Sequence, residues 1–238
     1  NIKNSRGKPM RLFEMGRVYQ YLSKEDGKIL PDENEKIVGV LCGPRDYDSW
    51  LSGGEGVDFY DAKGILEILF RKLSLEVNWV ASESNIFQGQ VAADVVWKYP
   101  MNTKQTKIVG KCGALKKAVT AFFDIDTPVI LFEIDADLIG SSIGLKTTDY
   151  YQINRYPSSE RDVSLIFDKS ITSSEVVSMI CSNKLVETVI PVDVYSGEGI
   201  QDEKRSVTYR IIYRAEDKTL TGDQVQKAQK FILKKLKE

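Results

Sequence analysis

Two helix-start signatures constrain this chain more than any other feature. Thr172-Ser-Ser-Glu175 and Thr221-Gly-Asp-Gln224 each place a threonine before a helix and a Glu or Gln three residues later. In that spacing the hydroxyl accepts from a free backbone N–H, and the longer side chain reaches back to the cap N–H. The first opens a helix through Val176, Val177 and Ile180. The second opens one whose apolar face is Val225, Ala228, Ile232, Leu233 and Leu236. Arg161–Asp168, Val189–Ser196 and Ser206–Arg214 read as strands. The last two are joined through the turn-prone Gly197-Glu-Gly-Ile-Gln-Asp202.

The resulting order, β-α-β-β-α, is one strand short of the ferredoxin-like split βαβ. The residues before it are organised differently. Arg11–Tyr19, Lys36–Leu41, Gln90–Trp97, Thr106–Cys112 and Pro128–Ile134 are rich in Val, Ile and aromatics and read as strands. Between them, Ala62, Ile65, Leu66, Leu69, Phe70 and Leu73 mark one face of a helix. Asp58 is placed to cap that helix, with Asp61 in its first turn. The small, polar stretch Gly140–Asp149 reads as a linker. The expected fold class is therefore α+β: a first domain, 1–148, with an antiparallel sheet and helices on one side, then a ferredoxin-like domain, 149–238.

Composition removes several chemistries. The chain has no histidine, which excludes Ser-His-Asp and Cys-His nucleophile schemes and His-ligated metal. Cys42, Cys112 and Cys181 are too scattered for a disulfide framework or a zinc site, each in an apolar stretch of sequence, and fit a reduced, cytoplasmic setting. No apolar run approaches the ~20 residues of a membrane span. The chain begins at Asn1 without a signal peptide, as expected of a piece of a longer polypeptide. Acidic and basic residues balance at 14 each in 149–238, so nucleic acid would have to meet a local patch and not a global field. There is no phosphate-binding Gly-x4-Gly-Lys-Ser/Thr loop, and Ser52-Gly-Gly-Glu-Gly56 reads as a flexible loop.

Several short motifs resemble one family in the right order. Arg155-Tyr-Pro-Ser-Ser-Glu-Arg-Asp162, Val192-Asp-Val-Tyr-Ser-Gly-Glu-Gly199, Lys204-Arg-Ser206 and Lys218-Thr-Leu-Thr221 resemble the ferredoxin-fold anticodon-binding domain closing the bacterial phenylalanyl-tRNA synthetase beta subunit. Leu12-Phe-Glu-Met-Gly-Arg17, Phe59-Tyr-Asp-Ala-Lys-Gly64 and Leu131-Phe-Glu-Ile-Asp135 resemble the catalytic-like module that precedes it there. The segment Phe87-Gln-Gly-Gln90 departs from the His, Pro and Arg usual in the family. The family's amino-terminal domains, including its editing domain, have no counterpart, so neither an editing site nor a magnesium site carries over.

The resemblance implies a class II synthetase-like core without its chemistry. This chain then has no catalytic residue and no cofactor. ATP and Mg are expected in the full complex, where the alpha subunit ligates phenylalanine to tRNA(Phe), in a two-alpha, two-beta assembly. Tyr213-Arg-Ala-Glu216 matches an Arg-x-Glu clamp but is followed by no Gly-rich motif with Arg, and reads as an exposed strand end. Gly64 within a helix costs about 1 kcal/mol relative to alanine. Close approach of the alpha subunit, or of an element of this chain, would offset that.

Alternation along the strands nominates the RNA contacts. Val207, Tyr209, Ile211 and Tyr213 share a core face, as do Val192 and Val194, and as do Val163, Leu165 and Phe167. The open face then holds Tyr195 for base stacking and Arg210 and Arg214 for phosphates or base edges, unless Asp162 and Asp193 neutralise them. Arg161 with Asp162 either meets RNA or holds a strand–helix corner. Arg155, Tyr156, Ser158 and Lys218 are further candidates. Lys234, Lys235 and Lys237 read as complementing a helix dipole. Two other functions stay open: a regulatory or small-ligand-binding ferredoxin-like protein, and an assembly module without RNA contact.

Overall fold

The computed structural model describes residues 7–21, 31–51, 54–98, 106–141 and 153–237. The linker reading falls mostly on residues outside this set. Contacts divide the chain into two units, Asn1–Asp149 and Tyr150–Glu238.

The first unit contains strands β1 (Met10–Gln20), β2 (Asp32–Cys42), β3 (Val77–Ala81), β4 (Phe87–Lys98), β5 (Thr106–Leu115) and β6 (Val129–Asp135). They form one antiparallel sheet in the order β1-β2-β6-β5-β4-β3. Helix α1 (Phe59–Lys72) starts at a capping box. Asp58 accepts from the Tyr60 and Asp61 N–H groups, and the Asp61 carboxylate accepts from the Asp58 N–H. Arg45 holds that same carboxylate at 2.9 Å and also pairs with Glu55. Burial works to raise the Asp61 pKa, but the hydrogen bonds from Arg45 and Asp58 outweigh it and hold the group below the usual carboxylate value. Ala62, Leu66 and Phe70 of α1 pack on Leu41, Val95, Trp97, Cys112, Ile130 and Ile134. Ile65, expected in that face, lies outside it and is exposed.

The described residues of this unit also include two short helices, α2 (Lys117–Phe122) and α3 (Ala136–Gly140). Neither they nor β3 was expected from sequence. The described end of the Ser52–Gly56 stretch is tied back and not free: Gly56 bridges Pro44, and the Glu55 carbonyl accepts from the Arg45 N–H at 2.6 Å.

The second unit contains β7 (Ser159–Asp168), α4 (Ser173–Cys181), β8 (Val186–Tyr195), β9 (Lys204–Tyr213) and α5 (Gly222–Lys235). Both capping boxes form as the sequence implied, Thr172 with Glu175 and Thr221 with Gln224. The antiparallel sheet order is β7-β9-β8. Helices α4 and α5 bury Val176, Ile180, Val225, Ala228 and Ile232 against Val207, Tyr209, Ile211 and Tyr213. The α+β class and the β-α-β-β-α order are both observed.

Alternation gave the faces of Asp193, Val194 and Tyr195 but did not bury Val192 or Val194 of β8. Its pairing with β9 shifts register between Pro191 and Asp193, so one extra residue interrupts the face pattern. Val194 pairs opposite Val207 on the helix side, yet both Val192 and Val194 are exposed. The residues of β8 that reach the core are Val186 and Val189. Tyr213-Arg-Ala-Glu216 is likewise no exposed strand end: Tyr213 and Ala215 are buried. Burial pushes the Tyr213 pKa up, and its hydroxyl has no hydrogen-bond partner among the described residues. Of the three cysteines, Cys42 and Cys112 are buried and Cys181 is exposed. Burial pushes the Cys112 thiol up to about 12, so it is unionised at neutral pH.

Candidate nucleic-acid interface

Residues paired across an antiparallel ladder share a face, so the register of the second sheet sorts the candidates. Asp162 pairs with Arg210, Ser164 with Thr208, Ile190 with Arg210 and Tyr195 with Ser206. All lie on the face away from Tyr209 and the helices. Arg161 instead pairs with Ile211, which puts it on the helix side. Its Nη1 donates to the Glu160 carbonyl at 2.7 Å. Arg161 and Asp162 thus point to opposite faces of β7, and the strand–helix corner is not held by the two together.

Arg210 is clamped by one carboxylate. Its Nε and Nη2 donate to the two Asp162 oxygens at 2.9 Å each, and Glu160 lies at 4.0 Å. The hydrogen bond from Arg210 holds the Asp162 carboxyl below its ordinary value, and the carboxylate raises Arg210 in turn. A depressed carboxyl stabilises the fold above its unfolded pKa. That contribution is lost as pH falls through the folded pKa. Both partners are exposed, so a phosphate can compete for the guanidinium with little desolvation cost.

Arg214 is used differently. Its Nε donates to Glu187 at 2.8 Å and its Nη1 to the Tyr156 carbonyl at 2.6 Å. The side chain is 23% exposed. These bonds tie the segment before β7 to the start of β8. The partner is Glu187, which sequence reasoning missed, and not Asp193. Asn154 donates to the same Glu187 carboxylate at 3.0 Å.

Tyr195 sits at the end of β8, 48% exposed. Its hydroxyl donates to the Glu198 carbonyl at 3.1 Å, holding the ring over Gly197. Arg155, Ser158 and Lys218 are exposed and Tyr156 is half-buried. The open face also carries Ile166 and Ile190, both exposed, which sequence reasoning did not nominate. Their signal was available: both fall in phase with Arg210 once the ladder is drawn. The face is therefore mixed: Ile166 and Tyr195 flank Ser206 towards one end, and Ile190 lies beside the Asp162–Arg210 ion pair further along. Such a surface suits stacking and base-edge contact better than phosphate neutralisation.

In the first unit, Gly64 lies on α1 with no atom within 4 Å of where a Cβ would stand. Close packing within the described chain therefore does not account for it. Tyr60 and Ile68, one turn to either side, are exposed. Among the described residues, no group of three or more His, Cys, Asp or Glu is arranged to hold a metal, and no helix is long and apolar enough to cross a membrane.

Comparison with known proteins accounts for both units. Residues 2–136 match the family model described as the phenylalanyl tRNA synthetase beta chain CLM domain, and residues 154–238 match the ferredoxin-fold anticodon binding domain. The phenylalanine–tRNA ligase beta subunit of Syntrophotalea carbinolica is 33% identical over 231 residues, covering 95% of this chain and 27% of that protein. The beta subunit of Dehalococcoides mccartyi is 33% identical over 228 residues, with the same coverage of both chains. That of Staphylococcus aureus is 29% identical over 226 residues, covering 94% of this chain and 27% of its own length. The chain thus spans about a quarter of the length of these relatives. With both of its units matched in order, it belongs to the phenylalanyl-tRNA synthetase beta chain family.

Proposed function

We propose that this chain is the C-terminal part of a phenylalanine–tRNA ligase beta subunit, and that its second unit binds the anticodon region of tRNA(Phe). The carrying observation is the ordered pair of family matches, over 2–136 and 154–238, in one chain. The open sheet face supports base contact. Tyr195 offers a stacking ring, worth about 1–3 kcal/mol per base, and Arg210, paired with Asp162, is exposed on the same face. Arg155, Ser158 and Lys218 are accessible for further contacts. Arg214, Tyr156 and Arg161 act in this reading by shaping the unit.

The chain contributes no catalytic group. The alpha subunit binds ATP, Mg and phenylalanine and carries out the ligation, in a class II site within a cytoplasmic two-alpha, two-beta assembly. The test is binding of tRNA(Phe) against a tRNA with a changed anticodon, at two salt concentrations. Weaker binding of the changed tRNA is the expected result. Equal binding of both removes the anticodon reading.

The first unit, in the same reading, is an interface for the alpha subunit, with the Tyr60–Gly64–Ile68 stripe of α1 as its contact. The open space at Gly64 separates two effects. Gly64→Ala is expected to stabilise the chain by about 1 kcal/mol in a thermal melt. Gly64→Leu is expected to keep that stability but weaken capture of the alpha subunit. Normal capture by Gly64→Leu would remove the stripe from the interface.

A further inference from the structure

Helix α5 carries a charge pattern that its own fold does not use. Lys227, Lys230 and Lys234 recur at helical spacing, with Lys237 just beyond the helix end, and all four are exposed. Successive members are three or four residues apart, so they lie along one face. That face spans roughly 15 Å at 1.5 Å per residue. Phe231 stands beside the row, 61% exposed.

The dipole of α5 explains only part of this. Its influence is confined to the last turn, which holds Lys234 and Lys235. Lys227 and Lys230 lie further back. Lys235 donates to Ser182 and belongs to the fold. The side chains of Lys227, Lys230 and Lys234 make no hydrogen bond or ion pair with another described residue. Like charges three and four residues apart on a helix repel one another. Helix α1 shows the ordinary solution, an i, i+4 pair of Lys63 with Glu67.

The rest of the unit makes the contrast sharper. From Gly222 to Lys237 the sequence has five lysines and one acidic residue, Asp223, whereas 153–221 has nine basic and eleven acidic residues. The near-zero charge of the unit conceals a basic helix and a slightly acidic remainder. On the open sheet face the prominent arginine is already held by Asp162. In the helical layer α4 has no basic residue, so the cations there lie on α5.

We infer that the exposed face of α5 is a phosphate-backbone contact for RNA, with Lys227, Lys230 and Lys234 on successive phosphates and Phe231 available to an unstacked base. This rests on the tRNA-binding reading above and adds to it. It assigns backbone affinity to the helical layer and leaves base contact to the opposite, open face of the sheet. Phosphate contacts carry no sequence information, so the lysines govern affinity and its salt dependence without anticodon preference.

The test compares the wild-type chain, the triple variant Lys227→Gln/Lys230→Gln/Lys234→Gln, and the triple Lys→Arg variant at the same positions. Affinity for tRNA(Phe) and for the changed-anticodon tRNA is measured across a salt series, with circular dichroism confirming that each variant is folded. The Gln variant is expected to bind both RNAs more weakly by the same factor, with the slope of log K against log salt smaller by about two. The Arg variant is expected to restore the slope. A folded Gln variant with the wild-type slope overturns the inference while leaving the tRNA reading in place. A wild-type chain without salt-dependent affinity for either RNA overturns both.

Discussion

Tyr209→Ala is expected to destabilise the second unit by about 3–5 kcal/mol, the range for removing a buried aromatic ring. Tyr209 is 0% exposed at the middle of β9, the central strand, and faces both helices. It lies between Val163 of β7 and Pro191 of β8 on the two ladders. Its hydroxyl lies 2.9 Å from the Ser173 hydroxyl at the first turn of α4. The ring therefore joins the sheet to the start of a helix, and its loss leaves a cavity beside an unpaired serine. Tyr209→Phe keeps the ring and loses only the hydrogen bond, a cost of about 1 kcal/mol.

The measurement is amide hydrogen exchange in β9 across a urea series. The three tryptophans, Trp50, Trp79 and Trp97, all belong to the first unit, so their fluorescence follows that unit separately. A loss below about 1 kcal/mol for Tyr209→Ala would show that the ring does not organise this core.

Gly39→Val is expected to destabilise the first unit by about 1–3 kcal/mol, even though valine is the better strand former. Gly39 pairs with Phe132 across the β2–β6 ladder, and a Cβ at position 39 would overlap the Phe132 ring. That ring is part of the core beneath α1, so it cannot swing aside without opening a void. The glycine is there for close approach, since its backbone is not in the left-handed region. Phe132→Leu should relieve the overlap. In a double-mutant cycle, Gly39→Val is then expected to cost less in the Phe132→Leu background than in the wild-type chain, read from tryptophan fluorescence in urea. Additive effects would show that the two positions do not compete for one volume.

Much of the second unit was legible in advance because its signals are local. A capping box spans four residues, and both formed as written. The alternation Val207, Tyr209, Ile211, Tyr213 is contained within one strand, and all four are buried. In the first unit the helix that Asp58 caps was equally clear. By contrast, β3 is only five residues long and offers too little alternation to stand out. α2 and α3, of six and five residues, are too short for a helical period to show.

The candidate site was legible only as a set of residues. Arg210 and Asp162 are 48 positions apart in sequence, and Arg214 and Tyr156 are 58 apart. Which carboxylate meets which arginine depends on ladder register, and a slip of one residue reverses every side chain. The shift at Pro191–Asp193 leaves Val192 without a ladder partner, while Val194 keeps the helix-side face opposite Val207 and is exposed there. Arg161, by contrast, is in phase with Val163, Leu165 and Phe167, so its place on the helix side, away from Asp162, follows from alternation within β7.

By itself, the sequence determined the α+β class, the order of the second unit's elements, the helix starts and the absence of histidine chemistry, because each rests on residues within a few positions of one another. Only the tertiary structure decided that Arg210 is clamped by Asp162, that Arg214 ties the chain to Glu187 and Tyr156, that Gly64 faces open space, and that the side chains of Lys227, Lys230 and Lys234 of α5 lack partners among the described residues. Those are relations between distant segments, and register and packing, not local propensity, set them.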